Sequence, residues 1–461
     1  MWAKTRTILR FLGVIAGVLV ILAALLLGAF RMFAASLPGY KQDLQAWVAD
    51  TLDLDVEYEG IDLRLGLAGP ELAFFDAELS RVRSDQPFVV ASRASVVIDP
   101  FELFIDRRLV PTRLVFDGVQ ITLERLTDGT FAIRGAPPAE DSSAQSAFEL
   151  PEEVSVQIRD SEVLYIDDVL EQQWQFSNVR ADVEQEFRAF SITVSAEPPE
   201  QFADRITVTA DGFTRATTAI SGDWRAYVAL RNARVAGLAA LWPDAQVDSG
   251  SGDISFWLQS DDGEIVSALA DVALDDVSVP WLGEQYTYDR IEFIGEIAHD
   301  ASEWSAIFSD VVIESPLGAW PRGSTTSLAW HSSGNAFELL SQYVRLDDLL
   351  PLAAAFPPPA FRDRILELSP GGTLSDVVVN WPGNRGDEFE ISARFDDLSI
   401  RQWNGFDELG GFSGEIRADT DGGALEIESS DIDLRYSQFL AADVALSGLS
   451  GLVQWLSLIH I

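Results

Sequence analysis

The chain has 461 residues, and 73 Asp plus Glu against 32 Lys plus Arg give it a net charge of −41. That balance excludes a protein that coats duplex nucleic acid, because such binding rests on cations neutralising phosphates. Cysteine is absent, and three histidines (His299, His331, His460) with two lysines (Lys4, Lys41) leave no material for thiolate chemistry and little for histidine or lysine bases.

Phe11 to Phe30 is an uncharged run of twenty residues. As a helix it would span about 30 Å, the thickness of a bilayer's hydrocarbon core. A transmembrane helix is therefore expected over residues 11–31. Lys4, Arg6 and Arg10 lie before the run, and Arg31 and Lys41 follow more sparsely, so residues 1–10 are expected in the cytoplasm and the rest across the membrane. A cleaved signal peptide would need small residues in an A-x-A arrangement, but Phe33 stands two positions before Ala35 and Leu27 two before Ala29. Next, Leu44, Trp47, Val48 and Leu52 recur on one helical face and predict an amphipathic helix just outside the membrane.

From there onward the period changes from helical to two. Val119, Ile121 and Leu123 alternate with polar residues, as do Val154, Val156 and Ile158, and then Phe190, Ile192 and Val194. Such alternation means strands with one wet and one apolar face. Ile206, Val208, Ala210, Ile254, Phe256, Leu258, Ile291, Phe293 and Ile297 continue the apolar set. Asp-Gly pairs at Asp117, Asp128, Asp211, Asp262 and Asp421 supply hairpin-turn chemistry, so an antiparallel meander is expected. The segment 135–151 is rich in Pro, Ser, Ala and acid without an apolar face and is expected to be a linker or long loop. It separates a helix and β unit over 37–134 from a β region over 152–251.

An internal repeat follows. Gly252-Asp-Ile-Ser matches Gly372-Thr-Leu-Ser, Leu274-Asp-Asp-Val-Ser-Val279 matches Phe395-Asp-Asp-Leu-Ser-Ile400, and Gly295-Glu-Ile297 matches Gly414-Glu-Ile416. The offsets are 372 − 252 = 120, 395 − 274 = 121 and 414 − 295 = 119. Each copy follows a short helix-like piece, Val235 to Leu241 and Leu346 to Leu352. Tandem sheet units are expected over 252–371 and 372–455. The end, Leu456-Ser-Leu-Ile-His-Ile461, reads as a translated adapter rather than a native strand, so residues 456–461 are expected to be foreign and the chain a fragment.

Motifs for chemistry are missing: there is no P-loop, no H-E-x-x-H, no G-x-S-x-G and no dinucleotide fingerprint. The acid pairs Asp167-Asp168, Asp275-Asp276 and Asp396-Asp397 do not converge, because neighbours on a strand point to opposite faces, and they are read as solvated strand ends. Asp419-Thr-Asp-Gly422 lacks the glycine and glutamate spacing of a calcium loop and is read as a hairpin turn. No catalytic, cofactor or metal site is expected.

The anchor, the helix around Leu37 to Leu52, Ile61 to Leu72 with Gly69-Pro70, Val96-Val-Ile-Asp-Pro-Phe101 and Asp128-Gly-Thr-Phe-Ala-Ile133 together resemble the start of AsmA-like proteins. Gly222-Asp-Trp-Arg-Ala-Tyr-Val, Leu241-Trp-Pro, Pro357-Pro-Pro and Gly372-Thr-Leu-Ser-Asp-Val resemble the YhdP-type members of that family. The resemblance implies a non-enzymatic protein with a single-pass anchor in the bacterial inner membrane and its bulk in the periplasm. It implies an elongated, curled antiparallel β-sheet of repeated units, with a lipid-sized apolar groove that carries phospholipid toward the outer membrane. Its partners would be phospholipid, the inner membrane and other envelope proteins. The alternating positions named above are then the groove candidates. The same alternation also fits a closed β-sandwich core in a membrane-anchored scaffold or regulator of envelope assembly.

Overall fold

The computed structural model describes residues 54–66, 69–81, 87–99, 111–134, 153–187, 189–214, 222–241, 245–281, 283–300, 303–331, 336–354, 368–382, 389–403, 406–435 and 444–456. The expected transmembrane helix, the amphipathic helix of Leu44, Trp47, Val48 and Leu52, the 135–151 linker and all of the expected foreign tail 456–461 except Leu456, which ends a strand, lie outside these residues. Among the described residues no helix is long and apolar enough to cross a membrane. They form twenty-three strands and two short helices, grouped in two compact units, Met1–Ala196 and Glu197–Ile461.

In the first unit β3 (Gly69–Arg81) pairs with β1 (Leu54–Glu57) and β2 (Gly60–Gly66), and on its other edge with β4 (Pro87–Ile98). β4 pairs in turn with β5 (Pro111–Arg125), whose end turns back through the short β6 (Phe131–Ile133). β5 then pairs with β7 (Glu153–Asp167) in parallel, and β7 with β8 (Gln172–Glu186) antiparallel. The parallel pair corrects the expected meander. Because β6 uses the tight turn, the chain must travel back to the start of β5, and parallel neighbours need a crossover of about a dozen residues or more. The length between residues 134 and 153 provides it. β9 (Ala189–Glu197) closes this part of the chain.

The second unit is the expected meander. Its strands are β10 (Arg205–Thr214), β11 (Gly222–Arg234), β12 (Ser249–Asp261), β13 (Glu264–Trp281), β14 (Glu284–Asp300), β15 (Glu303–Ser315) and the two-residue β16 (Gly318–Ala319). They continue as β17 (Ser324–His331), β18 (Ala336–Arg345), β19 (Gly371–Trp381), β20 (Glu390–Trp403), β21 (Phe406–Asp419), β22 (Gly422–Arg435) and β23 (Val444–Leu456). Leaving aside β16, each is antiparallel to the one before it. The helices α1 (Val235–Ala239) and α2 (Leu346–Ala354) stand where the helix-like pieces are predicted, before β12 and β19.

The acidic pairs have a different role from the one expected. Asp276 and Asp397 sit inside β13 and β20 with φ of 53° and 51°, where the pairing register shifts. Asp160, Asp310 and Asp376 do the same in β7, β15 and β19. These are β-bulges, which bend a strand and increase its twist, and Asp tolerates the left-handed conformation they require. Asp117-Gly118 and Asp211-Gly212 likewise lie within β5 and β10 rather than in hairpin turns. Asp262-Gly263 and Asp128-Gly129 are turns as expected, and the Asp419 carboxylate accepts bonds from Asp421 N–H (2.8 Å) and Gly422 N–H (3.0 Å) in the β21–β22 turn.

Asp167 ends β7 but is buried rather than solvated. Its carboxylate accepts N–H bonds from Val169 and Leu170, both 2.9 Å, beside Tyr165 Oη at 3.2 Å and Arg125 Nη1 at 3.3 Å. Burial alone would raise its pKa, and the donors from Leu170, Tyr165, Arg125 and Val169 together hold it below the usual carboxylate value. The stability this group contributes is therefore complete above the unfolded-state pKa and is lost as pH falls through the lower folded value. Asp167→Asn is expected to flatten the acid limb of stability against pH, measured by chemical denaturation below about pH 5.

The densest core of the second unit gathers Val277, Val279, Tyr288, Ile291, Ile313 and Trp320 under α2. Tyr288 Oη donates to the Asp348 carbonyl at 2.8 Å, and Trp320 Nε1 to the Asp348 carboxylate at 2.7 Å, with Arg345 Nη1 at 3.2 Å. Burial raises the Tyr288 pKa further from neutrality, so its hydroxyl stays a donor. Asp348 is thus the bolt that fastens α2. Asp348→Ala strands the Trp320 indole N–H and leaves the Arg345 guanidinium with the Gly318 carbonyl but no carboxylate, and a loss of about 3 kcal/mol in denaturant unfolding is expected.

Candidate functional site

The antiparallel register of the second unit can be followed from its first strand to its last. Ala210 stands opposite Ala226, then Leu258, Ala268, Ile297, Ala306 and Leu328. The row continues through Leu339, Val379, Ile391, Ala418 and Gly423 to Trp455. Thirteen strands contribute thirteen residues without a charge or a polar side chain. At about 4.8 Å between strands the row is roughly 58 Å long. A second row on the same face runs Ile206, Leu230, Ile254, Val272 and Phe293, and between the two lies Val208, Val228, Phe256, Ala270, Gly295 and Phe308. The neighbouring row on the opposite face contains Asp211, Arg225, Gln259, Glu338, Asn380, Glu390 and Asp419. Among the described residues of the second unit charge is thus kept off one face, while the opposite face mixes charged side chains with exposed apolar ones such as Trp257, Ile307 and Leu340.

The predicted residues fall on this face unevenly. Ile206, Val208, Ile254, Phe256, Leu258, Phe293 and Ile297 lie together on it, with Ala210. Ile291 also points there, but it is only 6% exposed and belongs to the sealed core beneath α2, so it is corrected from a groove position to a core one. Two strand steps further along β14, past Phe293, Ile297 is 39% exposed, and Phe256 on β12 is 36% exposed. The face is closed at the α2 end and uncovered toward the other. In the first unit Val156 and Ile158 stand opposite Leu114 and Phe116 on β5 and Val183 and Ala181 on β8, while Val154 lies opposite Gln185. Phe190, Ile192 and Val194 are half-buried on β9.

The two glycines of the Gly-Glu-Ile landmarks serve this face directly. A Cβ on Gly295 would stand 3.3 Å from the Phe308 ring, and one on Gly414 would stand 3.0 Å from the Phe395 ring and 2.0 Å from the Glu426 carbonyl. Each glycine makes room for an aromatic ring leaning across from the next strand. Leu274 and Phe395, paired by the repeat, lie on corresponding second strands of the two copies and both face the apolar side.

Sequence reasoning missed the aromatic edge of the face. His299, Trp304, Trp330, Phe337 and Trp381 stand opposite one another on β14, β15, β17, β18 and β19. Their spacing in sequence is irregular, so only the pairing register assembles them.

The YhdP protein family matches residues 1–458. The chain belongs to that family. No curated protein matches it. The family match spans both units, including the strands that build the uncharged face and the segments before residue 54.

Substitution by charge separates the sealed and open parts of the face. Ile291→Asp buries a carboxylate among Tyr288, Ile313 and Trp320 and should cost several kcal/mol, enough to prevent folding. Ile297→Asp and Phe256→Asp can hydrate and should retain a cooperative thermal transition within a few degrees of the parent, as read by circular dichroism.

Proposed function

We propose that the chain is an inner-membrane-anchored periplasmic lipid carrier, whose uncharged β-face shields phospholipid acyl chains on their way toward the outer membrane. The single observation that carries this reading is the unbroken thirteen-residue apolar row on a chain of net charge −41, with Ile297 in the row and Phe256 in the row beside it both more than a third exposed. Exposed apolar surface of that extent invites aggregation unless something covers it. Hydrocarbon is a fitting cover, since each CH₂ removed from water contributes about 0.8 kcal/mol. The height of the face agrees: three positions two residues apart span about 14 Å, close to half of a roughly 30 Å hydrocarbon core. Membership of the YhdP family and the uncharged run from Phe11 to Phe30 support the membrane anchorage. Nothing in the face resembles an active site, and the proposed role needs no cofactor or metal.

Native mass spectrometry of the full chain, purified in mild detergent, tests the reading. Co-purified phospholipid is expected on the parent protein, with occupancy reduced several-fold by Phe256→Asp and unchanged by Gln259→Glu on the opposite face. A lipid-free parent that stays monomeric in the same detergent would favour the membrane-anchored scaffold with a closed core instead.

A further inference from the structure

The uncharged face has two unlike ends. At one, α2 and its Asp348 hub seal the core around Tyr288 and Ile291. At the other, eight residues along β14 from Ile291, stands the aromatic ladder from His299 to Trp381. His299 stacks on Trp304 at a centroid distance of 4.4 Å, Trp304 on Trp330 at 5.9 Å, and Trp381 lies 6.2 Å from Phe389, which precedes β20. Phe337 and Trp381 are 37% and 44% exposed. Rings with one apolar and one wet side concentrate where hydrocarbon gives way to polar headgroups. A sealed apolar floor suits methyl termini, which have no need of water.

We propose that phospholipid lies on this face in one orientation, with glycerol and headgroup at the aromatic ladder and acyl ends directed to the α2 floor. This rests on the lipid-carrier reading and adds a direction to it. By charge complementarity an uncharged face excludes a charged headgroup from its middle, which leaves the two ends as candidates, and the α2 end is closed. The distance agrees as well: from Phe293 to His299 is six residues, about 20 Å of strand, enough for an acyl chain of half a bilayer core plus a glycerol backbone. The ladder is then a headgroup rim running across neighbouring strands, along which successive lipids keep the same orientation.

The absence of cysteine makes the test direct, since a single introduced thiol takes a fluorescent label at one place. The full chain would carry Phe337→Cys or Trp381→Cys at the rim, or Phe293→Cys near the floor. Each is loaded with phosphatidylcholine bearing a nitroxide at carbon 5 or carbon 16, and native mass spectrometry on the same samples records lipid bound. Rim labels should be quenched at least twofold more strongly by the carbon-5 probe, and the floor label more strongly by the carbon-16 probe. Reversed or equal quenching at both ends, with lipid bound, would overturn the orientation and leave the carrier reading intact. Absence of bound lipid would overturn both.

Discussion

The structure depends on a single constraint: a period-two pattern held in register across successive antiparallel strands. A slip of one residue at any pair would carry every following side chain to the other face and put acids where the apolar row runs. With thirteen strands contributing to the row, one slip would break it in two. The bulges make the constraint more demanding, because each adds a residue to one strand and must be matched by the sequence on both sides. Asp276, Asp310, Asp376 and Asp397 meet it by accepting the left-handed backbone conformation in place. The apolar residues on either side of them, such as Phe395 and Leu398, then stay on the same face.

Closure and exposure follow from where the helices sit. α2 is short and holds itself with buried polar bonds through Asp348 rather than through length. It covers the ends of β13 to β15 and leaves the rest of the face without a second layer among the described residues. A closed sandwich would bury both large aromatics and their neighbours on the inner faces. Phe256, Phe337 and Trp381 are too exposed for that arrangement in this unit.

Much of this was legible in the residues themselves. Alternation at Ile254, Phe256 and Leu258 and at Phe293 and Ile297 identified the face, and the matched segments around Gly252 and Gly372 identified equivalent strands. Two kinds of feature were not legible. Mid-strand Asp-Asp and Asp-Gly pairs use the same residues as turns, so composition cannot tell a bulge from a hairpin. The aromatic ladder depends on which residue stands opposite which, and Trp304, Trp330 and Trp381 have no common spacing to betray it. The parallel pairing of β5 with β7 was hidden for a related reason: a long connection permits either strand direction, and alternation carries no information on it.

The claim at the centre is that this face is covered by lipid rather than by protein. A high-resolution cryo-electron microscopy map of the full chain purified with its native lipids tests that most directly. The account predicts elongated, non-protein density lying along Val228, Phe256 and Ile297, running between the aromatic ladder and α2. A layer of the chain's own polypeptide packed over those residues, with no such density, would contradict it.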